Sequence, residues 1–305
     1  LDTVAPQEIV SRNGDRIAIP SGALQRGDNR RFKGEDLTAG EPALAAGARV
    51  TPAALGLLAS LGIAQVDVRR RVRVAFFSTG DEVLSLGEAP REGAVYDSNR
   101  YTLFGLLTRM GVEVIDMGVV RDDPGALEAA FRTATAQADA VITSGGVSVG
   151  EADHTKAVMR KLAGGDAGVV FWKIAMRPGR PMAVGRIGNA VLFGLPGNPV
   201  AVMVTFLAFV RPALLQMMGS TPAAPPLLKA KSLETLRKKP GRTEYQRGVV
   251  SSAPDGSLVV KTTGQQGSGV LSSMAQANGL IVLHHDQGDA LAGQEVDVMM
   301  FEGVI

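Results

Sequence analysis

The sequence contains no cysteine, so disulfides and thiolate metal sites are excluded, and the composition is compatible with a reducing compartment. Histidine is scarce as well. We interpret His154, His284 and His285 as surface residues because the sequence gives them no metal-ligand partners. The longest apolar run, VAVMVTFLAFV at 200–210, is well short of the roughly 18 residues that cross a bilayer. We therefore expect a cytoplasmic protein that does not enter a membrane.

Strong charge of either sign is also missing. The 305 residues carry 32 basic and 30 acidic side chains, a net charge of +2, so no large cationic field predicts a nucleic-acid partner. A hydrophobic content of 45% is typical of a globular protein, and the length allows two or three domains. The chain opens LDTVAPQ without a methionine, which predicts that its natural start lies upstream, although nothing present resembles a signal peptide.

Residues 72–220 alternate between β-rich and helical runs. Apolar runs such as VRVAFF, VEVIDMGVV, DAVITS and VVFWKIAM predict buried strands, and runs such as PGALEAAFRTATAQ predict helices between them. Two further strand-like runs, PMAVGRIG and AVLFGL, precede a long helix predicted at 199–218. This alternation indicates a three-layer α/β domain, with a parallel sheet covered by helices on both faces.

The two flanking parts are smaller. Residues 1–71 contain the strand-like pieces QEIVS and RIAIP and the helix PAALGLLASLG, with Thr51 as N-cap and Pro52 at the first helical position. These apolar elements are too few to close a core, so we expect a partial N-terminal α+β region. Residues 221–305 open with a proline-rich linker. They continue with RGVVSS, LVVKTT, GLIVLHH and EVDVMM, which predict a small, β-barrel-like C-terminal domain.

Four loops follow predicted strands of the α/β domain. They are STGDE (78–82), RDDP (121–124), SGGVSVGEADHTK (144–156) and LPGNP (195–199). Because ligands bind where the carboxyl ends of parallel strands meet the loops, we expect these four loops to form one site. The glycines allow backbone amides to approach a phosphate. Glu82, Asp122 and Asp153 are carboxylates suited to Mg²⁺ that bridges to phosphate oxygens.

Each of these features also has a purely structural interpretation. A glycine-rich loop is often only a tight turn, and Asp153 is an acceptable N-cap for the helix that follows it. RDDP is a typical helix N-terminus, where the helix dipole favours acids. In YDSN (96–99), Asp97 or Ser98 is most simply the cap of the helix that runs through Leu107.

A basic stretch adds a candidate anion site. WKIAMRPGRP (172–181) carries Lys173, Arg177 and Arg180 around a Pro-Gly turn. Fixed guanidinium groups bind tetrahedral anions with paired N–H donors, so this stretch predicts an oxyanion site. The alternative is a basic surface turn anchored by Trp172.

Together these motifs resemble the MoeA family of molybdopterin molybdenumtransferases, which is similar to the E domain of gephyrin. STGDE, YDSN, RDDP, SGGVSVGEADHTK, WKIAMRPGRP and LPGNPVA occur in the family's order, as do GDNRRFKGED, PGRTEYQRG and TTGQQGSGVLSSMAQANGLIVL. The resemblance covers nearly the whole chain. It implies a homodimer with a molybdopterin-binding α/β domain. It also implies a reaction in which adenylylated molybdopterin and molybdate give molybdenum cofactor and AMP, assisted by Mg²⁺.

The resemblance also implies roles for individual residues. The catalytic residues would be Glu82, Asp122, Asp153, Lys173 and Arg177, and the first three would also bind Mg²⁺ beside the pterin and its phosphate. The phosphate turn would be formed by Ser144, Gly145 and Gly146. The molybdate site would include Lys173, Arg177, Arg180, Pro181, Arg242 and Ser273. Further substrate contacts would come from Thr79, Gly80, Asp97, Ser98, Pro196, Gly197 and Asn198. Asp36 would approach from the partner subunit.

The sequence departs from the family pattern in places. Arginine stands at 177 and 180 where lysine is common, and Ala201 stands where serine is usual. The family's most N-terminal segments would lie upstream of Leu1, so we expect this chain alone to be poorly active. Two alternatives stay open: a molybdopterin adenylyltransferase, which the family places upstream as a partner, and a non-catalytic scaffold like gephyrin. The extra β domain and the GED segment argue against the first, and the retained carboxylates argue against the second.

Overall fold

The computed structural model describes residues 2–147, 154–165, 167–220 and 224–301. These residues form two compact units, one that runs to Asp67 and one that begins at Val68.

The first unit has little regular structure. It contains a 3₁₀ turn (Gln7–Ile9), the hairpin strands β1 (Ser11–Asn13) and β2 (Arg16–Ala18), and helix α1 (Pro52–Ser60). The strand predicted over QEIVS is therefore wrong at Gln7–Ile9, and the strand itself starts only at Ser11. Thr51 caps α1 by accepting a hydrogen bond from the backbone N–H of Ala54 at 3.2 Å, as predicted.

The second unit contains the remaining elements. Its strands are β3 (Arg73–Thr79), β4 (Val83–Leu84), β5 (Val95–Tyr96), β6 (Glu113–Val120), β7 (Ala140–Ser144), β8 (Val169–Lys173), β9 (Met176–Arg177), β10 (Pro181–Ile187), β11 (Ala190–Leu195), β12 (Leu228–Ser232), β13 (Thr243–Ser252), β14 (Leu258–Thr262), β15 (Gly279–Leu283) and β16 (Glu295–Met300). Its helices are α2 (Ser98–Met110), α3 (Pro124–Gln137), α4 (His154–Leu162), α5 (Pro199–Thr205), a π-helical turn (Phe206–Val210), α6 (Arg211–Met217) and α7 (Leu271–Gln276).

The central sheet has six strands in the order β6-β3-β7-β11-β10-β8. The first four strands are parallel, so the predicted parallel core is confirmed. β10 and β8 are antiparallel to their neighbours, which differs from an all-parallel sheet. The reason is the length of their connections. Parallel neighbours need a crossover of a dozen or more residues, whereas β10 and β11 are joined by only Gly188 and Asn189.

Helices cover both faces of this sheet. On β3, Val74 and Phe76 pack in a core cluster with α2 and α5, while Ala75 and Phe77 pack in a second cluster with α3 and α4. The ring of Phe77 meets that of Phe131 edge-on at 5.1 Å between centroids. Side chains that alternate between two buried faces explain why the strand sequences are apolar throughout.

The C-terminal part is a small barrel. Strands β13, β14, β12, β16 and β15 pair in a closed ring around a core of their own, which confirms the predicted barrel-like domain. Met274 and Leu280 from this part belong instead to the cluster that contains Phe76 and Phe206 of the α/β part. The two parts of the second unit therefore share one hydrophobic core.

Among the described residues, one helix, from Pro199 to Met217, is long and apolar enough to cross a membrane. Half of its most apolar window is buried inside the protein, and Val202, Phe206 and Leu214 lie in the core cluster. We interpret it as a core helix. The apolar run of the sequence ends at Arg211, but the helix continues to Met217.

Candidate functional site

The carboxyl ends of the four parallel strands lie at one edge of the sheet. Thr79 on β3 is level with Val120 on β6, and Ser144 on β7 is level with both Ser78 and Leu195. The turns that follow these strands therefore begin side by side, as predicted from the sequence. Asp153 and the rest of 148–153 lie outside the described residues, so this part of the predicted phosphate loop is not described.

Glycine is required in the turn after β7. Gly145 has φ +90°, and a Cβ placed on it would lie 2.5 Å from the carbonyl oxygen of Thr79. Gly146 has φ +64°, and a Cβ there would overlap the hydroxyl of Thr155. The N–H of Gly145 donates to the carbonyl oxygen of Leu195 at 3.1 Å. This amide is therefore used to join two loops, so any phosphate contact has to come from other amides of the turn.

The loops at this edge contact one another. Asn99 Nδ2 donates to the carbonyl oxygen of Gly197 at 2.7 Å, and the hydroxyls of Ser78 and Ser144 are 2.9 Å apart. Several buried side-chain atoms here have no hydrogen-bond partner among the described residues: Thr79 Oγ1, Asp97 Oδ2, Asn99 Oδ1 and Thr155 Oγ1. Buried polar atoms nearly always have a partner, so a group of such atoms is typical of a ligand site.

Two of the predicted acidic residues lie on adjacent loops. Glu82 follows β3 and is exposed, and Asp122 follows β6. The loops meet where the N–H of Asp122 donates to Asp81 Oδ1 at 3.3 Å. No group of three His, Asp or Glu residues suited to a metal occurs in the described part of the chain, and the third predicted ligand, Asp153, is outside it. Mg²⁺ often takes one or two carboxylates together with substrate phosphates, so Glu82 and Asp122 are of the ligand type that suits this ion, and its binding stays a prediction.

The helix caps expected from the sequence are present. Asp97 Oδ1 accepts a hydrogen bond from the N–H of Arg100 at 2.9 Å and caps α2, which begins at Ser98. Asp123 Oδ1 accepts one from the N–H of Ala126 at 2.8 Å and caps α3. Asp97 is only 4% exposed, and its second carboxylate oxygen, Oδ2, is buried without a hydrogen-bond partner among the described residues.

The basic stretch forms an arm, residues 174–180, that connects two strands of the central sheet and contacts the barrel. VVFWKIAM is predicted as one strand, but β8 ends at Lys173 and β9 joins the barrel, where Met176 and Arg177 pair with Thr243 and Glu244 of β13. The chain then returns through Arg180 to β10, which begins at Pro181 beside Lys173. The cations Lys173, Arg177 and Arg180 are exposed, and among the described residues none of them forms a salt bridge.

The barrel places a further arginine beside this arm. Arg242 Nε and Nη2 both donate to Glu244 Oε1, at 2.8 and 2.7 Å, and Glu244 is the residue that pairs with Arg177. A cavity of about 220 Å³ lies between the arm and the barrel. Its lining includes Arg177, Pro178, Glu234, Glu244, Arg247 and Gln266. Arg177 and Arg242 therefore both lie next to Glu244, although they come from distant parts of the sequence, and their binding of molybdate stays a prediction.

Arg247 was not predicted from the sequence. It is 1% exposed, and burial lowers the pKa of its guanidinium to about 10, with the charge of Arg177 acting in the same direction. Its Nε donates to Ser273 Oγ at 2.9 Å, and Ser273 Oγ donates to the carbonyl oxygen of Val270 at 2.5 Å. The Ser273 hydroxyl is therefore engaged within the barrel, and its predicted contact with molybdate stays a prediction. The only signal in the sequence is an arginine on a strand of a small barrel.

Asp36 lies in the first unit. It lines an open depression of about 840 Å³ together with Arg31, Phe32, Glu35 and Leu61. Arg31 Nη1 donates to Glu35 Oε1 at 2.8 Å, which fixes the segment next to Asp36. Its approach to the site from a partner subunit stays a prediction.

Three protein families match successive parts of the chain. Residues 75–216 match the family described as "Probable molybdopterin binding domain". Residues 229–301 match "MoeA C-terminal region (domain IV)", and residues 1–62 match "MoeA N-terminal region (domain I and II)".

Curated relatives and solved structures match across nearly the whole chain. Molybdopterin molybdenumtransferase of Haemophilus influenzae is 42% identical over 305 residues, which is all of this chain and 74% of the relative. Molybdopterin molybdenumtransferase 2 of Mycobacterium tuberculosis is 35% identical over 297 residues, 97% of this chain and 72% of the relative. The crystal structure of the molybdopterin biosynthesis moeA protein from Pyrococcus horikoshii OT3 matches 98% of this chain and 71% of its own, with a TM-score of 0.75 and 28% identity.

Proposed function

The chain belongs to the MoeA family, and from that membership we propose that it is a molybdopterin molybdenumtransferase of molybdenum cofactor biosynthesis. The proposed substrates are adenylylated molybdopterin and molybdate. In the reaction, the two dithiolene thiols replace one oxide of molybdate, which leaves as water with both thiol protons. Hydrolysis of the phosphate–phosphate bond releases AMP.

The observation that carries the proposal is that one unit holds both a sheet edge suited to phosphates and a group of cations suited to molybdate. One edge of the sheet has glycine turns and carboxylates, and beside it the arm and the barrel present Arg177 and Arg242. Molybdate and a phosphate-linked pterin are both anions and repel each other unless cations lie between them. The cations of the arm and the barrel supply that charge. The absence of cysteine is no obstacle, because the reacting sulfurs belong to the substrate.

We propose that the phosphates of the substrate bind at the turns after β3, β7 and β11. Ser144, Gly145 and Gly146 shape this edge, with Thr79 and Gly80 on one side and Pro196, Gly197 and Asn198 on the other. Asp97 and Ser98 would contact the substrate at the start of α2.

Mg²⁺ is part of the proposal. Glu82, Asp122 and Asp153 would hold the ion, which when bound neutralises charge on phosphate oxygens. We further propose a cytoplasmic homodimer in which Asp36 reaches the partner's site, with a molybdopterin adenylyltransferase as the enzyme that supplies the substrate.

Molybdate binding tests the anion site. Arg242→Ala should raise the Kd for molybdate about 10- to 100-fold, because a hydrogen bond to a charged group contributes roughly 1.5–3 kcal/mol. Isothermal titration calorimetry measures this Kd. Lys229→Ala is the matched control: Lys229 is an exposed barrel cation paired with Asp297, and its loss should leave the Kd within twofold. Equal affinity of the wild type and Arg242→Ala would remove Arg242 from the site.

Catalysis is tested by chromatographic measurement of AMP released from adenylylated molybdopterin. We expect release that depends on molybdate and Mg²⁺, and a loss of Mg²⁺-dependent release in Asp122→Asn. Release of AMP that ignores molybdate would contradict the transferase proposal.

A further inference from the structure

The cavity between the arm and the barrel is lined by Tyr245, whose hydroxyl has no partner in the protein. Nearly all other polar side chains of the lining form hydrogen bonds within the protein. Among the described residues, the exceptions are Arg177, Thr235 and Tyr245. Thr235 is exposed, whereas Tyr245 is partly buried. Tyr245 therefore brings a hydroxyl that is available to a ligand into the cavity.

The ring of Tyr245 is held by packing. Tyr245 lies on β13 opposite Val282 of β15, and it packs against the core cluster that the barrel shares with the α/β part. Its hydroxyl is not among the fully buried atoms that lack a partner, so it stays accessible. Because tyrosine has few rotatable bonds, a packed ring keeps the hydroxyl in place before any ligand binds.

The phenol of Tyr245 is a hydrogen-bond donor at neutral pH. Burial raises the pKa of Tyr245 above its ordinary value, so the hydroxyl keeps its proton. The same cavity is lined by Arg177, whose exposed guanidinium forms no salt bridge among the described residues. The oxygens of a deprotonated oxyanion accept hydrogen bonds and donate none. A fixed neutral donor and an unpaired cation in one cavity therefore suit an anion.

The carboxylates of the lining do not need this donor. Glu234 Oε1 accepts hydrogen bonds from the N–H and the hydroxyl of Thr262, both at 2.7 Å. Glu244 Oε1 accepts from Arg242. Each carboxylate thus has a donor of its own, and the Tyr245 hydroxyl is left for a bound molecule.

We propose that Tyr245 is a substrate-binding residue whose hydroxyl donates a hydrogen bond to an oxygen of molybdate in this cavity. This role rests on the proposed function, with molybdate as the anion. The phosphates of the other substrate are proposed to bind at the glycine turns, so the hydroxyl acts on molybdate and not on AMP. Because no hydrogen bond within the protein depends on this hydroxyl, its effects on binding and on stability are separable.

Tyr245→Phe tests the role because it removes the hydroxyl and keeps the packed ring. We expect the Kd for molybdate to rise about tenfold or more, as for the loss of a hydrogen bond to a charged group. The Kd for AMP should stay within twofold. Both are measured by calorimetry on the whole chain. The melting temperature should not fall, since a partly buried hydroxyl without a partner does not stabilise the fold.

Tyr101→Phe is the matched control. Tyr101 lies on α2, is 45% exposed and does not line the cavity. The guanidinium of Arg100 lies over its ring at 5.8 Å from the centroid, an interaction that phenylalanine keeps. Its Kd for molybdate should equal that of the wild type. A rise as large as in Tyr245→Phe would mean that the effect does not come from the cavity, and it would contradict the role.

Fluorine NMR gives a direct readout of the contact. The chain has three tyrosines, so labelling with fluorotyrosine gives one signal each for Tyr96, Tyr101 and Tyr245. The Tyr245 signal is the one that Tyr245→Phe removes. Molybdate should shift this signal and leave that of Tyr101 in place, whereas a tyrosine that only fills the core would show no shift.

The outcomes separate this role from the proposed function. If the wild type binds molybdate and Tyr245→Phe binds it equally well, the role is overturned and the proposed function stands. A lower melting temperature in Tyr245→Phe would show that the hydroxyl is structural, and a larger loss of affinity for AMP than for molybdate would move it to the phosphate site. Either result contradicts the role. A wild-type chain that does not bind molybdate overturns the proposed function and this role with it.

Discussion

At the scale of single residues, Asp139 illustrates how a carboxylate is held in its charged form. It directly precedes β7, where Arg70 Nη1 and Nη2 donate to its two oxygens at 2.6 and 2.8 Å. The N–H of Arg73 donates to it as well, at 2.9 Å. The pKa of Asp139 is lowered from 3.8 to about 2. The hydrogen bonds from Arg70 are the largest cause, and they outweigh burial, which acts to raise the pKa.

Asp139→Asn should therefore destabilise the second unit. A pKa lowered to about 2 corresponds to roughly 2 kcal/mol, and we expect about 1–2 kcal/mol because Arg70 is largely exposed and screened. The pKa is lower in the folded chain, so the wild type holds this advantage above about pH 4. It loses the advantage as the pH falls toward 2.

Urea unfolding of the wild type and Asp139→Asn between pH 7 and pH 3 measures this difference. Asp286→Asn, an exposed carboxylate beside His285, is the control and should change stability by less than about 0.5 kcal/mol. A difference between wild type and Asp139→Asn that grows as the pH falls would contradict the assignment.

Some residues of the site were predictable from the sequence and others were not. Gly145 and Gly146 form a predicted turn because few other residues tolerate a positive φ next to a strand end. Arg247 was not predictable, because its burial depends on a loop that is 18 to 20 residues further along the chain. Long-range hydrogen bonds of this kind leave no local pattern.

At the scale of elements, the arm between β8 and β10 determines where the cations lie. The N–H of Ile174 donates to the carbonyl oxygen of Arg180 at 2.7 Å and closes the base of the arm. Gly179, with φ +97°, packs so closely on α5 that a Cβ would lie 2.5 Å from Thr205 Cγ2. Because the arm is packed in this way, Arg177 is held against the barrel by backbone pairing and does not depend on its own side-chain contacts.

Gly179→Ala should disturb this element. The added methyl group meets Thr205 Cγ2, and alanine is strained at this φ, so we expect a loss of about 1–3 kcal/mol and weaker molybdate binding. Thr205→Ser in the same chain removes Cγ2 and keeps the hydroxyl, which donates to the carbonyl oxygen of Ala201. The double variant should regain part of the stability, measured by thermal unfolding. No recovery would mean that the strain lies in the backbone alone.

The division of VVFWKIAM into two strands shows where sequence patterns stop being informative. Eight residues of apolar and β-branched character predict one strand, and no glycine or proline marks a break. The break is decided by two different partners, β10 for the first part and β13 for the second. The helices, in contrast, follow local signals: α2 and α3 begin directly after Asp97 and Asp123, and α2 ends at Met110, directly before Gly111 with φ +76°.

At the scale of the whole second unit, the barrel and the α/β part are joined by more than a linker. Met176, Met274 and Leu280 from the barrel side lie in the same buried cluster as Phe76 and Phe206. Loop 264–269 adds a hydrogen bond to α5. Since the proposed anion site takes residues from both sides, a continuous core would keep Arg177, Arg242 and the sheet edge at the fixed separations that an electrostatic site requires.

Shared packing predicts that the two parts unfold together. Leu280→Ala removes a fully buried barrel side chain and should cost about 2–5 kcal/mol. The chain has one tryptophan, Trp172 on β8, so its fluorescence reports unfolding of the α/β part. If the core is continuous, Leu280→Ala shifts the midpoint of the Trp172 transition in guanidinium, whereas Leu291→Ala, 57% exposed in a barrel loop, does not. An unshifted Trp172 transition in Leu280→Ala would mean that the barrel unfolds on its own, and the fixed spacing of the anion site would then need another explanation.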